Sequence, residues 1–300
     1  MACRCAWPSW RCCSARYHGD HREREPAALN YEEKVEARRR AADSLLCIGL
    51  DPELERLPAG ITRDPAGIYA FTTAIVEATA DIAAAYKPNF AFYEALGPAG
   101  MDVLRRLIAA IPRDIPIIGD AKRSDIGNSA RLYARAALDV YGCDAMVVSP
   151  YQGRDSVEAY LAHADRGVYV LARTSNPGAA DFQDIVVDGE PLYLRVVREA
   201  QRWRCAGTLG FVVGATAPDD LRRVRQAAPQ AQLLIPGIGA QGGDLAAAVR
   251  AGCRADGGGV LISASRSILY ASPASDYAGA ARREAERLVG EMRRLAEAGR

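Results

Sequence analysis

Short apolar runs alternate with longer amphipathic segments along most of this chain, and that alternation sets the first expectation about its fold. After a charged stretch over 32–43, continuous apolar runs occur at 44–50, 84–90, 116–120, 145–149, 167–173, 208–214, 232–236 and 259–264. Each is unbroken rather than alternating in polarity, as strands buried on both faces are. Seven segments with helical periodicity separate them, 66–83 and 129–140 among these, and an eighth at 275–297 closes the chain. Eight β–α repeats with short connections predict an α/β fold, a (β/α)8 TIM barrel in a single domain. A doubly wound open sheet would carry a glycine-rich fingerprint after its first strand. Here that strand ends in Gly49-Leu50-Asp51-Pro52-Glu53, which lacks it. Two connections run long, 52–65 and 175–191. Both leave the C-terminal ends of strands, where barrel active sites are built.

The ionisable groups at those ends carry the first chemical signal. The first strand delivers Asp51, the second Lys87 and Asn89, and the third Asp120 and Lys122, with Asp125 just beyond it. Positions 120 and 122 of one strand point the same way, so both are expected at the barrel mouth. A lone Asp after a strand is often a helix N-cap, a role open to Asp125, and a lone Lys is usually solvated. Lys87, however, sits in a run of Tyr, Pro, Phe and Ala, where an unpaired ammonium is costly to bury. Alternating charges that converge on one mouth resolve that cost, because each stabilises the next.

A second constellation lies near the C-terminus. Pro236-Gly237-Ile238-Gly239-Ala240-Gln241-Gly242-Gly243 follows the seventh strand and Ser263-Ala264-Ser265-Arg266 the eighth. Glycines let backbone N–H groups approach an anion closely, and Arg offers a fork of donors that suits phosphate. Loops after strands seven and eight are the habitual phosphate site of such barrels. The residues alone therefore predict a phosphate monoester at one side of the mouth and a Lys/Asp network at the other. No Cys or His cluster offers a metal site there, and His163 stands alone in a helical segment, expected at the surface.

Composition narrows the setting. Lys plus Arg (38) nearly balances Asp plus Glu (37), which gives no global basic field for nucleic acid. The apolar runs are too short to span a bilayer, so a soluble, cytoplasmic protein is expected. Cys47, Cys143, Cys205 and Cys253 read as small core residues. Cys3, Cys5, Cys12 and Cys13, near His18 and His21, lack CxxC spacing for zinc, and no apolar segment of signal-peptide type follows the start. Residues 1–27 are expected to be a disordered extension or the product of a start placed too far upstream, and 28–300 the catalytic barrel.

These motifs resemble a known family. Asp120-Ala121-Lys122-Arg123-Ser124-Asp125-Ile126 resembles the DxKxxDI signature of orotidine 5′-phosphate decarboxylases. Leu50-Asp51-Pro52, Tyr86-Lys87-Pro88-Asn89, Thr174-Ser175-Asn176-Pro177-Gly178 and the 236–243 loop follow in family order, closest to the longer bacterial branch (type 2). DxKxxD alone is shared with sugar-phosphate aldolases and decarboxylases of the same superfamily, whereas the combination is far more specific. The resemblance runs from about Glu32 to the C-terminus.

The resemblance implies a metal-free, cofactor-free conversion of orotidine 5′-monophosphate to UMP and CO₂ in pyrimidine biosynthesis. Lys87, Asp120 and Lys122 would form the charged network, and Asp125 would complete it in the partner subunit of a homodimer. Asp51, Lys87 and Asn89 would meet the ribose side of the nucleotide and Ser175 the pyrimidine edge. Pro236, Gly237, Gly239, Gln241, Ser265 and Arg266 would surround the phosphate. Many relatives place Gly where Ser265 stands, which affects only how closely a phosphate approaches. Lys122 would protonate the C6 carbanion, and Asp120 would act on the leaving carboxylate by repulsion or by positioning Lys122. Two readings compete. Hexulose-phosphate synthases and keto-gulonate-phosphate decarboxylases use a metal held partly by an acid on strand two, where this chain has Lys87-Pro88-Asn89. A silent nucleotide-binding regulator would not need all four charged positions.

Overall fold

The unbroken apolar runs form strands, and their alternate side chains fill two different cores. The computed structural model describes residues 29–238 and 243–298. Its barrel strands are β1 (Leu46–Leu50), β2 (Ala85–Pro88), β3 (Ile118–Arg123), β4 (Ala145–Val148), β5 (Gly167–Arg173), β6 (Thr208–Val213), β7 (Gln232–Ile235) and β8 (Val260–Ala264). All pair in parallel in the order β2-β1-β8-β7-β6-β5-β4-β3. Bridges Tyr86–Ile117 and Asn89–Asp120 close β2 onto β3 and complete the barrel. The predicted strands recur with shifted ends. β1 starts at Leu46 because Ser44 Oγ accepts from Leu46 N at 3.1 Å and holds a turn there. β2 stops at Pro88 because Asn89 Oδ1 accepts from Ala91 N and begins a short helix.

A first helix, α1 (Tyr31–Ala42), precedes the barrel, and the others form the outer layer: α2 (Pro65–Thr79), α3 (Gly97–Ala110), α4 (Gly127–Arg135), α5 (Leu192–Ala200), α6 (Pro218–Ala227), α7 (Leu245–Gly252) and α8 (Tyr277–Ala298). The segment expected at 129–140 is α4 running into a π turn over Ala136–Val140. Between β4 and β5 the helix shrinks to Glu158–Leu161, and His163 lies just after it rather than within a helix, partly exposed at the surface. The long 175–191 connection holds a 3-10 turn (Pro177–Asp181) and a small hairpin pairing Val186–Val187 with Glu190–Pro191. Among the described residues no helix is long and apolar enough to cross a membrane. The expected terminal extension and its cysteines lie outside the described residues. Cys47 and Cys143 are buried as expected, whereas Cys205 and Cys253 are only half-buried.

One core lies between strands and helices; the other fills the barrel. Inside, Cys47, Ile118, Val147, Tyr169, Val212 and Leu234 pack with Tyr31 and Val35 of α1. The charged stretch at 32–43 is this helix. Its start is a capping box, in which Asn30 Oδ1 accepts from Glu33 N at 3.0 Å and Asn30 N donates to Glu33 Oε2 at 2.8 Å. α1 plugs the N-terminal end of the barrel. Tyr31 meets Tyr169 edge-on, with the two hydroxyls 3.1 Å apart. Gly167 makes room for the Tyr31 ring, since a Cβ there would lie 2.3 Å from it. Ion pairs Lys34–Asp144 (2.8 Å) and Arg254–Glu32 (2.8 Å) fasten the same helix to the ends of neighbouring repeats. With α1 packed into that end, the cavity lined by the C-terminal ends of the strands lies at the opposite mouth.

Candidate active site

Strand alternation sends every second residue into the barrel, so the inward positions above the apolar layer face the mouth. On β2, Ala85 is an interior residue and Lys87 the next inward position; on β3, Ile118 and then Asp120 follow the same rule. Lys87 Nζ donates to Asp120 Oδ2 at 2.7 Å, and Lys122 Nζ donates to Asp120 Oδ1 at 2.5 Å. Lys87 and Asp120 are only 6% and 7% exposed, whereas the Lys122 side chain is 47% exposed at the rim.

Simple alternation does not account for Lys122. The β3–β4 register shifts between Asp120 and Arg123, and Lys122 adopts φ +48°. A bulge of this kind re-aims a side chain at the end of a strand. Left-handed backbone on a non-glycine residue is uncommon and costs energy that the surrounding structure must offset. Here the paired ends on either side hold it: Phe90 N donates to Asp120 O at 3.2 Å, and Ser149 N donates to Arg123 O at 2.9 Å. Arg123 in turn pairs with Glu94 and lies over the Tyr133 ring of α4.

Burial and pairing oppose one another in this triad, and pairing wins. Burial disfavours the Lys87 ammonium, but Asp120 and Asp51 outweigh it and raise its pKa above the ordinary lysine value. Burial likewise works against the Asp120 carboxylate, yet Lys87 and Lys122 bring it down to about 2. Lys87 and Asp120 are therefore held in their charged forms at neutral pH. Beneath it, burial pushes the Cys47 thiol up to about 12, so that group stays neutral.

Asp51 stands at the end of β1 beside this network. Its Oδ2 accepts from Ser265 Oγ at 2.7 Å, while its buried Oδ1 has no partner among the described residues. A buried carboxylate oxygen without a donor is unfavourable, which marks it as an acceptor for a ligand hydroxyl. Gly49 permits the arrangement, because a Cβ there would fall 2.7 Å from Ser265 Cβ.

These groups line one cavity of about 360 Å³. Asp51, Lys87, Asn89, Asp120 and Lys122 form one side; Ser175, Pro236, Gly237, Ser265 and Arg266 contribute elsewhere along its wall. Arg266 is exposed and makes no side-chain hydrogen bond or ion pair among the described residues, leaving its donors for a ligand. Gly237 has φ +101°, and its carbonyl accepts from Gly243 N at 3.1 Å, closing the base of the glycine loop. Gly239 and Gln241, expected in this loop, lie outside the described residues.

Asp125 is not in this cavity. Its Oδ1 accepts from Ile126 N at 2.8 Å, and it does not cap α4, whose N-cap is Ile126 with no side-chain bond. Sequence reasoning missed other lining residues: Ser263, Thr174 and Asn176, and an apolar patch of Val147, Leu171, Val212, Leu234 and Ile238. The patch was hidden because its members belong to ordinary strand runs. Thr174 and Asn176 flank Ser175 within a motif already singled out, and that adjacency was the available signal. Among the described residues no group of three or more His, Cys, Asp or Glu side chains is arranged to hold a metal ion.

Comparison with known proteins agrees with this geometry. A family model described as orotidine 5′-phosphate decarboxylase / HUMPS matches residues 44–282. The orotidine 5′-phosphate decarboxylase of Thermomicrobium roseum is 49% identical over 270 residues, 89% of this chain and 96% of that one. The structure of Leishmania donovani OMP decarboxylase superposes with TM-score 0.80 at 37% identity, covering 90% of this chain and 99% of that one. Leishmania donovani UMP synthase gives TM-score 0.81 at 39% identity over 89% of this chain, which spans 56% of that longer chain. With the sequence matched over most of its length and the fold over nearly all of it, the chain belongs to the orotidine 5′-phosphate decarboxylase / HUMPS family.

Proposed function

We propose that this chain converts orotidine 5′-monophosphate to UMP and CO₂ without metal or organic cofactor, as a homodimer in the cytoplasm. The observation that carries the reading is the Lys87–Asp120–Lys122 triad facing a cavity that also presents Arg266. The C6–carboxylate bond breaks heterolytically, CO₂ leaves, and the electron pair stays on C6. Lys122 gives its proton to that carbanion and regains one from water; before the transfer its ammonium stabilises the developing charge. Both Asp120 oxygens are already engaged by lysines, which favours a positioning role over repulsion of the substrate carboxylate. The apolar patch of Val147, Leu171, Val212 and Leu234 suits the uncharged CO₂ that departs.

Asp51 and Lys87 hold the ribose, with Asn89 beside them, and Ser175 meets the pyrimidine edge. Arg266, the 236–243 loop with Gly239 and Gln241, and the Ser265 backbone hold the phosphate. Turnover followed by loss of substrate absorbance in the presence of EDTA tests the assignment. Chelator-resistant decay supports it; no decay by folded protein sinks it and returns the metal-using relatives to consideration.

Remote phosphate binding is expected to serve catalysis at the ring. Arg266→Ala should lower kcat/KM for orotidine 5′-monophosphate by about 10- to 100-fold, the worth of a charged hydrogen-bonding group. The phosphate-free nucleoside should be nearly indifferent to the change, and equal losses for both would contradict the role.

Asp125 is read as completing the partner's site. In support, it lies outside this chain's own cavity, and Ile126, Leu132 and Tyr133 beside it are exposed apolar residues. Mixing inactive Lys122→Ala and Asp125→Ala subunits should restore one native site in each heterodimer, or about a quarter of wild-type activity on random exchange. Activity that stays at the level of the separate variants after subunit exchange would exclude sharing.

A further inference from the structure

The end of β5 is held by side chains that never enter the cavity. The β5–β6 register shifts between Leu171 and Arg173, so Arg173 turns away from the cavity just before Thr174 and Ser175 enter its wall. There its guanidinium makes three bonds: Nε to Asp220 Oδ2 at 3.2 Å, Nη1 to Thr174 O at 3.1 Å, and Nη2 to Asp184 Oδ2 at 3.1 Å. Asp220 is fixed in turn by Tyr193, whose hydroxyl donates to Oδ1 at 2.8 Å. Gln183 acts from the other side. Its Oε1 accepts from Thr174 N at 2.8 Å and its Nε2 donates to Thr174 Oγ1 at 2.9 Å. Beneath, Gly214 lets the chain pack down, since a Cβ there would lie 3.0 Å from the Ser175 backbone.

We propose that Gln183 and Arg173 are positioning residues that lock the 174–176 backbone, so that Ser175 meets the pyrimidine in a fixed place. This rests on the reading of Ser175 as the contact to the base. A lock on one wall affects ligands that reach that wall and spares those that do not. The distinction separates positioning from general stability, because a loosened fold weakens every ligand alike.

The test measures inhibition of orotidine 5′-monophosphate turnover by UMP, which carries the base, and by ribose 5-phosphate, which does not. For Gln183→Leu the UMP inhibition constant is expected to rise about tenfold, as for loss of a partly buried hydrogen-bonded pair. The ribose 5-phosphate constant should stay within about twofold, the scatter of uncoupled sites. Gln183→Glu still accepts from Thr174 N and should recover most of the loss; it also serves if the leucine variant does not fold. Parallel weakening of both ligands, or unchanged UMP inhibition in both variants, overturns the lock. Wild-type protein that neither turns over the substrate nor binds UMP overturns the functional reading itself, and the lock with it.

Discussion

Lys122→Ala is expected to cut turnover of orotidine 5′-monophosphate by at least about 10⁴-fold, the upper end for loss of a positioned general acid. The loss should reach that end because one ammonium has two tasks, stabilising the carbanion and then protonating it. Stability should hardly move. The Lys122 side chain is 47% exposed, and Asp120 keeps its buried bond to Lys87. Alanine also leaves the bulge backbone as strained as before, since it gains no left-handed freedom at φ +48°. The measurement is the rate of absorbance loss in EDTA beside a thermal melt. A variant that melts with wild type and retains more than about a tenth of its rate would remove Lys122 from the chemistry, since even a modest general acid contributes about 10²-fold.

The barrel was legible because parallel strands are buried on both faces and read as unbroken apolar runs, and because the first of them ends without the glycine fingerprint of a doubly wound sheet. Lys87 and Asp120 were legible for the same reason, as charges lying within runs that must be buried. What escaped notice depended on contacts distant in sequence. The charged stretch that became α1 concealed Tyr31, whose meaning lies in Tyr169, 138 positions away. Its Asn30-x-x-Glu33 capping box was a readable local signal that the preponderance of charge obscured. The apolar patch beside the triad could not be told from core, because hydrophobic pattern reports burial and not which buried surface faces a ligand. Lys122 was placed correctly for an incomplete reason. Alternation predicted its side, but the actual path is a bulge, and bulges follow from the register of the neighbouring strand. The lock on 174–176 was invisible for a similar reason, since Arg173 reads as the last residue of a strand until Asp184 and Asp220 are seen around it.

Asp120→Ala is expected to abolish activity and also to destabilise the fold by about 3–5 kcal/mol at pH 7, the usual cost of removing one partner from a buried ion pair. The reason lies with the residue left behind. Lys87 is 6% exposed, and without Asp120 its ammonium faces burial with only Asp51 to offset it. The sign of the pH dependence then reverses between the two proteins. In wild type the Lys87 pKa is raised, so its contribution is complete below the ordinary lysine pKa and fades as pH rises through the higher folded value. In the variant burial dominates and the folded pKa is expected to fall below the unfolded one. The unfolded state then binds more protons, and stability climbs with pH toward about 10. The deficit of the variant should therefore shrink from neutral to alkaline pH. At the acid end the wild-type advantage belongs to Asp120, whose pKa is lowered to about 2. That part is complete above the ordinary carboxylate value near 4 and is lost as pH falls toward 2. Urea unfolding of both proteins from pH 3 to pH 10 reads the difference directly. A gap that stays constant across this range would mean that Asp120 stabilises the barrel by packing, and that the triad is not held together by its charges.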